Sequence, residues 1–106
     1  MDLLRSSSFD KVIANHDVYV VKFYTNWCPD CIRTEKGFRE LASAYGDKAR
    51  FGTVDAEEAA SLAQNHGVRG IPTVIVFRQG KEIKRLLSKD AKTKEQIDDF
   101  LQQVLI

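Results

Sequence analysis

Apolar positions along the chain follow two alternating patterns, one of helical period and one nearly continuous. In residues 7–16, Phe9, Val12, Ile13 and His16 recur at helical spacing, with Ser7 and Asp10 placed as a cap and its third-position partner. Val18–Tyr24 is β-branched and aromatic almost throughout, which predicts a strand buried on both faces. Phe38, Leu41, Ala42 and Tyr45 form the inner stripe of a second helix, which Gly46 is expected to stop. A short strand over 51–54 leads to Asp55, expected to cap a third helix with Glu58 three residues on and Gly67 at its end. A second apolar run over 73–77 meets the turn signal Gln79-Gly80 and returns as a strand around 83–87. Thr93 with Gln96 reads as a capping box for a last helix, whose stripe is Ile97, Phe100, Leu101, Val104 and Leu105. A very short strand at Leu3-Leu4 would precede the first helix.

The expected order, αβαβαββα, puts helical crossovers between the early strands and a hairpin near the end. Crossovers imply parallel pairing and a hairpin implies antiparallel pairing. The expected class is α/β, with a central mixed β-sheet flanked by helices on both faces. At 106 residues, the chain has room for a single domain, 1–106. Its 43% hydrophobic and 29% charged residues are those of a soluble globular protein. Sixteen Lys and Arg against fifteen Asp and Glu leave a net charge of +1, which argues against nucleic acid as a partner. Lys81, Lys84, Arg85, Lys89, Lys92 and Lys94 are basic, but acidic residues interleave them, so this stretch reads as a solvated face. No apolar run approaches the ~20 residues of a membrane span, and MDLLRSSSFD lacks the apolar core of a secretory leader. A cytoplasmic location, with no membrane partner, is the expectation.

The only two cysteines, Cys28 and Cys31, stand in NWCPDCIR. In a reducing compartment such a pair is more often catalytic or metal-binding than a structural disulfide. A two-residue gap also closes a tiny loop, so a disulfide there would remove little unfolded-state entropy. Thiol–disulfide exchange needs one accessible, ionisable sulfur and a second that attacks the resulting mixed disulfide. Cys28 falls between a strand and the start of a helix, where unpaired N–H groups and the helix dipole favour a thiolate. Pro29 suits the first helical turn, where its missing N–H costs nothing. Cys31 follows one turn inward, close enough to close a disulfide. Cys28 is expected to attack and Cys31 to resolve. A structural zinc needs four ligands, and besides the pair the chain offers only His16 and His66, 50 residues apart. No metal is expected within one chain, but a site built from the CxxC of two chains stays open.

A second segment, RGIPTVIVFRQG at 69–80, makes the pair specific. Together with WCPDC after an apolar strand, the VDAEE stretch and the last amphipathic helix, it resembles the thioredoxin family over nearly the whole chain. The resemblance implies the thioredoxin fold, a cis peptide bond before Pro72 beside the cysteines, and a backbone at Ile71 that pairs with an extended substrate segment. It also implies Trp27 beside the attacking sulfur, in contact with the partner. The implied activity is dithiol–disulfide exchange on disulfide-containing proteins or small molecules. Electrons would come from an external reductase or a low-molecular-weight thiol, with no cofactor and a monomeric protein. A redox-inert binding module on the same scaffold is the alternative.

Several residues depart from the family pattern. Pro29 and Asp30 stand where glycine and proline are common, and Asp30 is expected to oppose ionisation of Cys28 by its charge. Lys22 stands where the family usually has a buried aspartate, six residues before the first cysteine. It is expected either to lie buried near Cys31, its charge favouring a thiolate, or to reach water at an edge. Lys36 replaces a helix-kinking proline, and Ser88 replaces a glycine that opens the substrate groove. Both point to narrower partner choice.

Overall fold

The structure, a computed structural model, describes residues 1–106. Its strands are β1 (Asp2–Leu3), β2 (Val18–Tyr24), β3 (Arg50–Asp55), β4 (Thr73–Arg78) and β5 (Lys81–Leu86). Its helices are α1 (Phe9–Ala14), α2 (Pro29–Ala44), α3 (Ala60–Asn65) and α4 (Lys94–Leu105), with a 3₁₀ turn at Ser88–Asp90. The five strands lie in the order β1-β3-β2-β4-β5. β3 pairs parallel with β1 and β2, whereas β4 pairs antiparallel with β2 and β5. This is the mixed sheet that crossovers and a late hairpin require.

Alternation along β2 builds two cores. Tyr19, Val21 and Phe23 join Phe9, Ile13, Val54, Ala63, Ile75 and Phe77 on the face covered by α1 and α3. Val20 joins Phe38, Leu41, Phe51, Val74, Ile97, Phe100 and Leu101 on the face covered by α2 and α4. Successive strand residues point to opposite faces, so a strand buried on both sides must be apolar almost without break. The one interruption is Lys22, on the α2 face and 2% exposed.

The β4–β5 hairpin turns through Gln79 and Gly80, both at positive φ (51° and 85°), as a two-residue turn that follows strand twist requires. Thr93 and Gln96 form the expected capping box on α4. Four local expectations need correction. The initial strand is Asp2–Leu3 rather than Leu3-Leu4, because Asp2 accepts a bidentate pair of hydrogen bonds from Arg50 at 3.0 Å that fixes its register. Helix α1 starts at Phe9 with Ser8 at the cap position and no side-chain cap, so Ser7 caps nothing. Asp55 Oδ1 does accept from the N–H groups of Glu57 and Glu58, at 3.0 and 3.2 Å, but residues 56–59 are turns and α3 proper begins at Ala60. Gly67 ends that region at φ 68°, whereas Gly46 has no left-handed backbone and α2 closes on Tyr45.

Helix α2 runs unbroken for 16 residues, as expected from Lys36 in place of a proline. It meets α4 at Gly37, where a Cβ would lie 2.7 Å from Lys94 Cβ. Helix propensity alone favours Gly37→Ala by about 1 kcal/mol. Overpacking against α4 outweighs it, so the variant should lose about 1 kcal/mol or more of stability. Urea midpoints of the two proteins measure this, and a gain in stability would show that α2 and α4 separate easily.

Candidate active site

Strand β2 ends at Tyr24, and Thr25-Asn26-Trp27 carry the chain over the sheet end to α2. Cys28 is the N-cap of that helix, in extended backbone, and its Sγ accepts a hydrogen bond from the Cys31 N–H at 3.2 Å. Sulfur thus takes the place of the oxygen that an Asp or Ser cap would offer. Pro29 occupies the first helical position, as the sequence predicts. The Cys28 thiol donates to the Ile71 carbonyl at 3.6 Å, which brings the two distant segments together. The Ile71-Pro72 peptide bond is cis.

Both cysteines are free thiols, and both are more covered than exchange chemistry suggests from sequence: Cys28 is 5% exposed and Cys31 2%. The expectation of an open attacking sulfur is corrected here, because the Ile71 carbonyl and the first turn of α2 close around it. Burial pushes the Cys31 thiol from its ordinary 9.0 up to about 12. Its hydrogen bond with Cys28 adds to the rise, and the Thr25 backbone and the Lys22 charge only partly counter it.

A family model for thioredoxin matches residues 1–103. The chain belongs to the thioredoxin family. It is 40% identical over 81 residues to mitochondrial thioredoxin-2 of Schizosaccharomyces pombe, covering 76% of this chain and 60% of that protein. It is also 40% identical over 81 residues to protein disulfide-isomerase of Gallus gallus, covering 74% of this chain and 16% of that protein. The chain thus spans only part of the length of these curated relatives. The oxidised thioredoxin of Plasmodium falciparum superposes with a TM-score of 0.87 at 21% identity, over 100% of this chain and 99% of the other. At that identity it shows the fold, a thioredoxin fold.

Against this thioredoxin frame, Lys22 is the largest departure. Its stem points into the α2 face, and Nζ donates to the Cys31 carbonyl at 3.2 Å. The ammonium also lies 5.5 Å from the centre of the Phe38 ring. No carboxylate pairs with it within 4.0 Å, so of the two placements the sequence allows, the buried one holds. Desolvation lowers its pKa, and negative charge on Cys31, Glu35 and Cys28 works in the opposite direction. A cleft of about 440 Å³ opens beside it, lined by Lys22, Thr25, Cys31, Glu35 and Phe38 among others. Within it the buried Thr25 Oγ1 has no hydrogen-bond partner.

Asp30, expected to oppose ionisation of Cys28 by its charge, is hydrogen-bonded to Arg33 and accepts from Lys92 Nζ at 3.3 Å, so two cations sit against it. Desolvation works to raise its pKa, and Lys92 and Arg33 together outweigh it, leaving the carboxyl below its usual range. Trp27 is 64% exposed, and its Nε1 donates to Glu57 Oε2 at 3.0 Å. It is therefore a surface platform and not a core indole. Ser88 sits against Gly70, where a Cβ on Gly70 would collide with the Ser88 side chain. Neither histidine approaches the pair: His16 packs on Tyr19 at 5.5 Å and His66 among Phe9, Phe23 and Phe77 at 5.1–6.3 Å. Sequence reasoning missed Lys92, Glu57 and Thr25. Only Arg33 had a local signal, its i+3 spacing from Asp30 on a helix.

The Cys31 thiol should leave a signature in stability. Its folded pKa lies above its unfolded one, so the folded state holds the proton more tightly between pH 9.0 and about 12. Stability from this group is fully present below that window and is lost as pH rises through it. Denaturant midpoints of the reduced protein should fall more steeply there than those of Cys31→Ser. Parallel curves would mean that Cys31 ionises as freely in the fold as outside it.

Proposed function

We propose that this chain is a thiol–disulfide oxidoreductase that reduces disulfide-containing proteins, working in a reducing, cytoplasmic setting. The observation that carries the reading is Cys28 Sγ at the N-cap of α2, within 3.2 Å of the Cys31 N–H and 3.6 Å of the Ile71 carbonyl. A thiolate there keeps the Cys31 N–H as a donor and the positive end of α2 beside it. It attacks one sulfur of the substrate disulfide, the S–S bond breaks, and the departing sulfur takes up a proton. Cys31 then loses its proton and attacks Cys28, releasing the second substrate thiol and closing a Cys28–Cys31 disulfide. Two electrons have passed to the substrate, and an external reductase or a low-molecular-weight thiol returns them.

Ile71 lies at the rim of the sulfur, its carbonyl 3.6 Å from Cys28 Sγ and its side chain partly exposed, where an extended substrate segment can pair with it. Exposed Trp27 offers apolar area on the other side. The reductive direction and the cytoplasmic setting are supported by a chain whose only cysteines are this pair. The second reading, a redox-inert binding module, draws on one observation, the small exposure of Cys28.

Reduction of a protein disulfide such as insulin's by the dithiothreitol-regenerated protein separates the two. Activity should vanish in Cys28→Ser, and reduced Cys31→Ser, freed of dithiothreitol before substrate is added, should accumulate a mixed disulfide visible by mass. A wild-type protein that reduces nothing would favour the binding module.

Lys22 acts in this reading as a positioning residue, through its bond to the Cys31 carbonyl and the charge it holds near the sulfur pair. In Lys22→Met the thiolate loses a cation in a low-dielectric site, so the pH–rate profile of exchange should move to higher pH. The rate at neutral pH should fall severalfold. Loss of rate with an unmoved profile would reduce Lys22 to packing.

A further inference from the structure

The Ile71-Pro72 step borders a groove of about 270 Å³, whose lining includes Gly70 and Thr73 on either side of that step. Arg69, Arg85 and Lys89 line it with Leu87 and Ser88, and no acidic residue does. Leu87 is 49% exposed and gives the groove an apolar element. Arg69 is exposed and has no ion-pair partner within 4.0 Å. Arg85 is paired at two points with Glu82, both at 2.7 Å, and donates to the carbonyls of His66 and Gly67 at 2.6 and 3.3 Å. It therefore shapes the groove wall, while Arg69 and Lys89 supply the charge open to a partner. Lys89 pairs only with its neighbour Asp90, an exposed contact that a better-placed anion can replace. The basic stretch that reads from sequence as a solvated face is thus folded partly into a concave surface that borders the Ile71-Pro72 step.

The other side of the site carries the opposite sign. Glu57, which holds Trp27, and Glu58 are exposed, and Asp55 lies next to them. Arg5 is the one cation that reaches this side, 3.7 Å from Glu58. A partner lying across Cys28 therefore meets positive charge past Ile71 and negative charge past Trp27.

We infer that the groove formed by Arg69, Arg85, Leu87 and Lys89 receives acidic side chains of a disulfide-bearing protein segment while that segment pairs at Ile71. This rests on the proposed activity and names the class of substrate: segments with Asp or Glu close to the reacting cysteine. Complementary charge raises the rate of encounter and fixes orientation, and both effects weaken with salt. The overall charge of +1 is too small to produce such a preference without a local site.

Three synthetic peptides of equal length test it, each with one cysteine flanked by acidic, neutral or basic residues and capped as a mixed disulfide with 5-thio-2-nitrobenzoate. Reduced protein attacks the peptide sulfur and expels the coloured thiolate. Cys31 then releases the peptide thiol and leaves the Cys28–Cys31 disulfide. At low ionic strength the acidic peptide should react about fivefold or more faster than the basic one. Near 1 M salt, where the screening length is about 3 Å, the ratio should approach one. Reversing the groove charges in Arg69→Glu/Lys89→Glu should invert the preference. The variant Lys48→Glu/Lys81→Glu makes the same change in net charge at the far end of the sheet and should retain it. Equal rates for all three peptides overturn the charge preference and leave the activity standing. A preference that both double variants lose alike assigns it to net charge and overturns the groove. Colour release from none of the peptides overturns the activity and this inference together.

Discussion

The start of α2 is the constraint on which the rest of this structure depends. A helix must find partners for its first N–H groups, and here the sulfur of Cys28 is one of them. Pro29 has no N–H to satisfy, and Ile32 N–H reaches the Cys28 carbonyl at 3.0 Å. The requirement that caps the helix therefore also places a polarisable, ionisable atom at its positive end. It fixes Cys31 one turn inward, beneath the sheet end and away from solvent. The difference in environment between two chemically identical residues follows from this geometry. One thiol lies at the rim against Ile71, and the other is held protonated by burial.

Lys22 shows what such a site tolerates when the opposite charge is placed behind it. An ammonium removed from water costs several kcal/mol unless something replaces its hydration. The replacements are a carbonyl at 3.2 Å and the face of Phe38, with no carboxylate. These are partial, which is why desolvation dominates its titration. Lys22 and Cys31 are displaced in opposite senses, each toward its neutral form. A negative charge on either sulfur is what the buried cation lacks, so a thiolate there would relieve a cost that the fully protonated pair carries. The family's usual aspartate would offer a proton acceptor at this place, whereas the Lys22 ammonium offers positive charge and a donor to the Cys31 carbonyl.

Much of the scaffold was legible in the chain because burial on two faces leaves a strong pattern. Val18–Tyr24 was read with the bounds it has, and the capping box at Thr93 and the turn at Gln79-Gly80 are local chemistry that sequence displays directly. What failed was local as well. Ser7 has the residue type of a cap, yet α1 begins at Phe9 with Ser8 at the cap position, and Gly46 follows the α2 cap Tyr45 without the left-handed backbone of a glycine stop. In the site, the family resemblance carried the cis step at Pro72, which periodicity could not supply. Trp27 with Glu57 and Asp30 with Lys92 are 30 and 62 residues apart, and no single-chain pattern links such pairs.

Those distant pairs bear on how the departures from the family pattern act. Asp30 is one corner of a cluster with Arg33 and Lys92, and Lys92 belongs to the segment that also carries Ser88 against Gly70. The carboxylate next to Cys28 thus links the loop that borders the groove at Gly70 to the helix that carries Cys28. Replacing it by proline removes one negative charge and at the same time leaves two cations near the sulfur without a partner. At fixed geometry the potential at Cys28 changes by the carboxylate's own contribution, while Arg33 and Lys92 lose their shared partner and the loop loses an anchor. Asp30 and the 88–92 segment therefore form one connected unit through Lys92, so a change at either is transmitted to the other.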